Sequence, residues 1–236
     1  MAERKNEFGQ PIGPPLEGWT PRPFPVANPM EGRYCRIEKL EERHAAALFS
    51  AYAETKDDSS WTYLLSGPFP GKESYADWVR AEAQKRDPQH YAIIDARTHK
   101  PVGTAALMRI EPSHGVIEIG HIHYAPVLKT SRAATEAMYL FMRRVFDELG
   151  YRRYEWKCDA LNAPSCRAAE RLGFRFEGIF RQAIVYKGRS RDTAWFSVID
   201  KEWPKLRAGF EAWLAPENFD ASGAQRKSLS AIRDAL

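Results

Sequence analysis

The sequence from His121 to Phe174, HIHYAPVLKTSRAATEAMYLFMRRVFDELGYRRYEWKCDALNAPSCRAAERLGF, decides the fold. It begins with an apolar strand and a basic, hydroxyl-rich turn, and continues with a long amphipathic helix and a second strand. A second helix opens at Asn162-Ala163-Pro164-Ser165 and stops at Leu172-Gly173-Phe174. This order of elements can hold a phosphate-bearing carrier at a helix N-terminus and aim its other end between two strands.

The first helix follows the turn Val127–Arg132, begins near Ala133 and stops at Gly150. Its first turn has backbone N–H groups without intrahelical partners and a partial positive charge, which favour a phosphate ligand. Lys129 and Arg132 add full charges, and Thr130, Ser131 and Thr135 add hydroxyl donors. The alternative is an ordinary helix start that a Ser or Thr caps. The apolar residues fall at helical spacing, at Ala134, Ala137, Met138, Phe141, Val145 and Leu149.

The segment after Gly150 predicts strand, helix and strand. Tyr154–Cys158 alternates and is rich in aromatic residues, which is typical of a strand. Pro164 stands where the first turn of a helix tolerates proline, and Gly173 ends that helix before a strand from Phe174 to Val185.

Four motifs in this order resemble the GCN5-related N-acetyltransferase (GNAT) family, and within it the ribosomal-protein N-terminal acetyltransferase-like branch. The resemblance covers roughly Tyr34 to Trp203. The motifs are Ala134-Thr135-Glu136-Ala137, Asn162-x-x-Ser165, Arg171-Leu172-Gly173-Phe174 and Lys187-Gly188-Arg189-Ser190-Arg191-Asp192.

The resemblance implies a mixed α/β fold with a central, splayed, mostly antiparallel sheet flanked by helices. Acyl-CoA would wedge between the strands that end near Tyr124 and Cys158. The implied activity is transfer of an acetyl group from acetyl-CoA to a primary amine, either on a small molecule or at a protein N-terminus. The implied cofactor-binding residues are Ile122, His123 and Tyr124 for the pantetheine arm, Lys129, Thr130, Ser131, Arg132, Ala133 and Ala134 for the pyrophosphate, and Asn162 and Ser165 for the arm and the thioester sulfur.

The pyrophosphate turn departs from the family pattern, which has Gln or Arg, two residues, Gly, any residue, then Gly or Ala. The matching positions here are Val127, Thr130 and Arg132. Glycine allows the backbone to approach phosphate closely. Arg132 could crowd the turn, or it could replace lost backbone contacts with a charge-assisted bond. We favour the second interpretation because the substituted residue is cationic.

Acyl transfer to an amine needs a base for the amine and an acid for the leaving thiolate. Ser165 is the candidate acid, and Glu118, His121 and His123 are the candidate bases. Strict alternation places His121 and His123 on one face of the strand and Glu118 on the other, unless a bulge intervenes. Each histidine could instead be a hydrogen-bonded strand residue. No metal is predicted, because the His121-x-His123 pair lacks a recognisable third ligand.

The acceptor side of the predicted site is less defined. Arg189, Arg191 and Asp192 could shape the acceptor pocket, or they could belong to a solvated hairpin. The competing function is a non-catalytic acyl-CoA-binding or regulatory module, which the atypical turn and the undecided base both suggest.

Charge, the lengths of apolar runs and the cysteine positions argue against several other classes of protein. Thirty-five basic and 31 acidic residues give a net charge of +4, too diffuse to indicate nucleic-acid binding. No run of eighteen apolar residues predicts a membrane span. Cys35, Cys158 and Cys166 have no metal-ligand spacing and cannot all pair, so we expect a reduced, cytoplasmic protein.

Three regions are expected along the chain: a proline-rich arm over 1–33, the acetyltransferase domain over 34–203, and a helix with a polar tail over 204–236. The arm could be loosely packed, or it could lie on the domain or a neighbouring subunit; with the late aromatic helix it could form a homo-oligomer interface. The further predicted strands are Tyr34–Leu40, His90–Ala96, Val102–Ile110, Val116–Tyr124 and Thr193–Ile199, and the further helices are Glu42–Glu54, Trp61–Leu65, Ser74–Arg86 and a late one through Trp203, Leu206, Phe210 and Trp213.

Overall fold

The computed structural model describes residues 4–55 and 57–236. The strands are β1 Arg4–Lys5, β2 Pro11–Ile12, β3 Met30–Glu31, β4 Cys35–Lys39, β5 Gln89–Asp95, β6 Pro101–Glu111, β7 Val116–Tyr124, β8 Arg153–Asp159, β9 Arg175–Tyr186 and β10 Arg189–Ile199. The main sheet has eight strands in the order β3-β4-β5-β6-β7-β8-β10-β9, and a separate pair is formed by β1 and β2. All paired neighbours are antiparallel except β7 and β8, which are parallel.

Helices cover both faces of this sheet, which confirms the predicted mixed α/β fold. One core cluster lies beneath the helices Arg132–Arg143 and Trp203–Leu214, and a second lies beneath the helices Ala45–Tyr52 and Lys72–Ala83. None of the helices in the described ranges is long and apolar enough to cross a membrane. The helices are α1 Ala45–Tyr52, α2 Lys72–Ala83, α3 Arg132–Arg143, α4 Ala163–Leu172, α5 Trp203–Leu214 and α6 Leu229–Asp234.

Helix α3 is the predicted long helix, and a π-helical turn, Arg144–Glu148, extends it to Gly150 at a φ of 67°. Glu136 fixes its first half to the start of β4. The Glu136 carboxylate accepts backbone N–H groups from Arg33 at 2.8 Å, Tyr34 at 2.6 Å and Cys35 at 2.8 Å. The N-terminal end of α3 is therefore held in a defined position over the sheet.

The splay of the sheet lies between β7 and β8. Their register runs from Val116 opposite Arg153 to Ile119 opposite Trp156 and ends there. Directly afterwards β7 is bulged: His121 has a φ of 50°, and the register with β6 shifts. A bulge bends the strand that carries it, so the two strands diverge and a gap opens between their C-terminal ends. The predicted splayed sheet is confirmed.

The proline-rich segment before β3 lies on the domain. The Trp19 indole donates to the Ser113 carbonyl at 3.0 Å, and the Tyr151 hydroxyl donates to the Pro23 carbonyl at 3.2 Å. The buried Arg144 guanidinium donates to the carbonyls of Val26 and Pro29, both at 3.2 Å. These contacts favour the packed interpretation of the arm over a loose one.

Two segments differ from their predictions. The short helical piece expected at Trp61–Leu65 lies earlier, as a 3-10 turn at Asp58–Trp61, because the Asp57 side chain caps it by accepting the Ser59 N–H at 2.9 Å. The residues after Ala215 are no polar tail: Phe219 and Leu229 are buried in the main core. The apolar residues after Ala215 are too widely spaced in the sequence to indicate a buried segment.

Candidate active site

Two cavities meet at the gap between β7 and β8. The larger, about 1110 Å³, extends along the N-terminus of α3, and the smaller, about 360 Å³, lies between the two strands and residues 59–65. The residues that border both are Ser60, Ile122, Lys129, Trp156, Asn162, Pro164 and Ser165.

The larger cavity collects the predicted cofactor-binding residues around the start of α3. Ser131 caps the helix: its Oγ accepts the Ala134 N–H at 3.1 Å and donates to the Leu128 carbonyl at 2.7 Å. Thr130, at the position of the family glycine, has a φ of 58°, a conformation that glycine adopts without strain. The side chain of Ala133 faces the core and does not border this cavity. The residues that do border this cavity are Ile122, His123, Tyr124, Lys129, Thr130, Ser131, Arg132, Ala134, Asn162 and Ser165.

The Arg132 side chain packs against the C-terminal segment. Its guanidinium carbon lies 4.2 Å from the ring centroid of Phe219 and 5.3 Å from that of Tyr34. A Cβ added at Gly223 would lie 3.0 Å from an Arg132 nitrogen. The side chain thus borders the cavity while it packs against the wall formed by residues 219–225.

That wall was missed from the sequence. It consists of Trp213, Phe219 and residues 222–225, together with Arg171 from α4. The Arg171 guanidinium donates to Thr135 Oγ1 at 3.1 Å and lies 5.2 Å from the Trp213 ring centroid. Burial lowers the pKa of Arg171. The aromatic stripe of α5 predicted a buried Trp213, but no sequence signal linked it to a cavity.

Ser165 stands where the two cavities join. Asn162 caps α4, and its Oδ1 accepts the Ser165 N–H at 3.2 Å. The Trp156 indole donates to Ser165 Oγ at 3.0 Å, so the Ser165 hydroxyl can itself donate, and the Cys158 sulfur lies within its hydrogen-bond reach. Burial raises the pKa of neighbouring Cys158 to about 12, which keeps it a thiol; its Sγ lies 3.6 Å from that of Cys166.

The bulge brings all three candidate bases to one face of the sheet. Ile117 and Ile119 face the core beneath α3, whereas Glu118 borders the smaller cavity. His121 contacts His90 and His123 stacks on Tyr52, both on the side of α1 and α2. The prediction from strict alternation, with Glu118 opposite the histidines, is therefore wrong, because the extra residue of the bulge changes the alternation.

The surroundings of Glu118 make it an ion-paired carboxylate. Arg109 Nη1 lies 2.8 Å from Oε1 and 2.7 Å from Oε2, and Lys157 Nζ lies 2.8 Å from Oε2. Lys157 also pairs with Glu155 at 2.7 Å and lies 3.8 Å from the Trp195 ring centroid. Both oxygens of Glu118 are thus already engaged by cations.

Both histidines are neutral at pH 7. Burial, with the charge of His90, lowers the pKa of His121 to about 4. Burial, with the charge of Lys129, lowers the pKa of His123 to about 3. The His123 ring lies 3.9 Å from Tyr52 between centroids, and its Nε2 is 3.2 Å from Ser60 Oγ, which faces both cavities.

The β9–β10 hairpin forms one side of the smaller cavity. Lys187 Nζ donates to the Trp61 carbonyl and Arg189 Nη2 to the Thr62 carbonyl, both at 2.7 Å. Arg191 borders the cavity directly. Asp192 lies in the irregular part of the hairpin, where its Oδ1 accepts the Gln182 N–H at 2.7 Å. Within the described ranges, no group of three or more His, Cys, Asp or Glu residues could hold a metal ion.

Comparison with known proteins identifies relatives of this arrangement. Residues 35–175 match the family model for the acetyltransferase (GNAT) domain. A crystal structure of a GCN5-related N-acetyltransferase from Brucella melitensis is 51% identical, with a TM-score of 0.91 over 93% of this chain and 100% of that one. A probable GNAT acetyltransferase from Chromobacterium violaceum ATCC 12472 is 39% identical, with a TM-score of 0.77 over 83% of this chain and 98% of that one.

More distant relatives agree with this family. An uncharacterized N-acetyltransferase, p20, from Bacillus licheniformis is 29% identical over 174 residues, which are 71% of this chain and 93% of that protein. A candidate ribosomal-protein-serine acetyltransferase from Vibrio cholerae, at 17% identity, has a TM-score of 0.64 over 73% of this chain and 97% of that one, a likeness of fold.

Proposed function

The chain belongs to the acetyltransferase (GNAT) family, and from that premise we propose that it transfers an acetyl group from acetyl-CoA to a primary amine by direct attack. The amine belongs to a small molecule or a protein N-terminus. The observation that carries the proposal is the meeting of two cavities at the gap between β7 and β8, with Ser165 at the junction. Two separate substrates can thus approach one point from opposite sides.

The larger cavity fits a polyanionic carrier. Lys129, Arg132 and Arg171 border it, and among the described residues none of the three forms an ion pair with a carboxylate. The N-terminus of α3 adds partial positive charge at the same place. We assign the pyrophosphate of CoA to Lys129, Arg132 and the start of α3, and the pantetheine arm to the edge of β7 beyond Ile119. The bound molecule supplies the acetyl thioester.

Ser165 is the proposed general acid. The new bond joins the amine nitrogen to the acetyl carbon, the carbon–sulfur bond breaks, and the thiolate takes the Ser165 proton. The proton that the amine loses restores the Ser165 hydroxyl, so that no net proton is gained or lost. The Trp156 indole supports this role, because its donation to Ser165 Oγ orients the hydroxyl with its proton available. Asn162 holds the backbone of Ser165 in place from the other side.

The amine side needs no strong base. Cations around the smaller cavity disfavour the ammonium form of an amine that enters it, so the acceptor more readily reaches the site as the neutral nucleophile. Ser60 Oγ, hydrogen-bonded to His123 Nε2 at 3.2 Å, offers an acceptor for the proton that the amine loses on attack. We therefore give neutral His123 the role of orienting the Ser60 hydroxyl, and Glu118 the role of positioning Arg109 and Lys157.

The test combines binding with turnover. Calorimetric titration of acetyl-CoA and CoA into the purified chain measures cofactor binding, and free thiol release with an amine panel measures transfer. We expect saturable binding and thiol release with at least one amine. Failure to bind either molecule would refute the assignment of the larger cavity. Binding without turnover across the panel would identify the non-catalytic alternative.

A further inference from the structure

Arg191 is a buried cation without a carboxylate partner. The residue is 8% exposed and borders the smaller cavity. Its Nε donates to Thr193 Oγ1 at 3.1 Å. Among the ion pairs of residues 4–55 and 57–236, none includes Arg191. Among the described residues, only its Nε has a hydrogen-bond acceptor, and the residue borders the cavity.

The acidic residues of the same cavity are already engaged. Glu118 holds Arg109 and Lys157. Asp159 accepts the Leu161 N–H at 2.9 Å through Oδ1 and the Tyr186 hydroxyl at 2.7 Å through Oδ2. Of the four cations that line this cavity, Arg109 and Lys157 pair with Glu118 and Glu155, and Lys129 is exposed to solvent. Among the described residues, Arg191 is therefore the buried cation of this cavity that lacks a carboxylate.

A buried cation without a carboxylate partner is costly unless a ligand balances its charge, and removal from water strengthens each electrostatic contact that it makes. The β9–β10 hairpin forms one side of this cavity, and Lys187 and Arg189 fix the hairpin to residues 61 and 62. A guanidinium offers parallel N–H donors that match the two oxygens of a carboxylate.

We propose that Arg191 binds a carboxylate of the acceptor, so that the acceptors of this chain are amines that carry a carboxylate. The proposal rests on the proposed function, because it takes the smaller cavity as the acceptor site. A volume of about 360 Å³ suits a free amino acid or the first residues of a peptide with an acidic side chain.

The experiment compares each carboxylate with its uncharged amide. Thiol release from acetyl-CoA is measured with free amino acids and their amides, and with peptides that begin with aspartate or glutamate against those that begin with asparagine or glutamine. We expect kcat/KM to favour the carboxylate roughly 10- to 100-fold, the effect of one hydrogen bond to a charged group. The free amino acids and the peptides identify the source of the carboxylate.

Variants assign the preference to Arg191. Arg191→Gln should abolish it, Arg191→Lys should retain part of it, and Arg181→Gln, an exposed residue of β9 that borders neither cavity, should leave it unchanged. Melting temperatures check that each variant is folded. Equal rates for acids and amides, or a preference that survives in Arg191→Gln, would overturn the proposal while the acetyltransferase function stands.

A binding measurement distinguishes failure of the proposed carboxylate site from failure of the proposed acetyltransferase function. N-acetyl amino acids and N-acetyl amino amides are titrated into the chain with and without CoA. Tighter binding of the acids that disappears in Arg191→Gln supports the carboxylate site even when no amine is turned over. Equal binding of acid and amide overturns it, whether or not CoA binds.

Discussion

Arg132→Gln separates the two interpretations of the atypical pyrophosphate turn. The guanidinium borders the larger cavity and pairs with no carboxylate among the described residues, so its charge is available for a phosphate. A hydrogen bond to a charged group contributes roughly 1.5–3 kcal/mol. At about 1.4 kcal/mol for each factor of ten, the variant should bind CoA roughly 10- to 100-fold more weakly.

Arg132 also contacts Phe219, and the effect of this contact on CoA binding must be distinguished from that of the phosphate contact. The guanidinium lies 4.2 Å from the Phe219 ring centroid, a cation–π contact worth about 0.5–1 kcal/mol at exposed sites. Phe219→Leu removes this contact and leaves the charge, so it is the matched control. We expect Phe219→Leu to weaken CoA binding by about fivefold at most.

Calorimetric titration of CoA at low and high salt supplies the measurement. A phosphate contact weakens as salt screens it, so the difference between wild type and Arg132→Gln should shrink at high salt. Unchanged or tighter binding by Arg132→Gln would refute the phosphate contact and would show that the arginine crowds the turn. An equal loss in Phe219→Leu would mean that Arg132 acts by holding the C-terminal wall.

Three other predictions follow from contacts at single residues. Ser165→Ala should lower kcat about 100-fold or more with little change in the Kd of acetyl-CoA, and Ser165→Thr should recover part of the rate; equal losses in kcat and affinity would contradict the acid role. Glu136→Gln should lower the free energy of unfolding in urea by about 1–3 kcal/mol, because the amide nitrogen cannot accept the N–H groups of the β4 start; an unchanged urea midpoint would refute this. Stability should fall as the pH drops from about 6.5 towards 4, because the unfolded chain binds protons that His121 and His123, with folded pKa values of about 4 and 3, do not. The slope should be at most about 1.4 kcal/mol per pH unit for each histidine, and His123→Phe should reduce it.

Local sequence signals predicted the scaffold of the cofactor side. Ser131 and Asn162 are cap residues, and their side chains make the cap hydrogen bonds in the structure. Gly173 ends α4 at a φ of 98°, a conformation that glycine adopts without strain. These features depend on residues three or four positions apart, so one stretch of chain contains all the information.

The features that the sequence did not predict depend on distant pairings. The bulge at His121 is visible only through the register of β7 with β6. Glu118 is ion-paired because Arg109 on β6 and Lys157 on β8 flank it. Phe219 reaches the cavity only because the chain folds back after α5. In each case the partner lies on another element, and residue type and spacing do not reveal it.

The hydrogen bonds from the hairpin to residues 61 and 62 affect when the smaller cavity forms during synthesis and folding. The bonds from Lys187 to Trp61 and from Arg189 to Thr62 join residues 126 and 127 positions apart in the chain. Residues 61 and 62 are synthesised long before the hairpin. Contacts between residues so far apart in the chain form late in folding, because bringing them together costs loop-closure entropy. The smaller cavity is thus completed only after Arg189 has left the ribosome, so a chain truncated before the hairpin holds one half of the proposed two-substrate site.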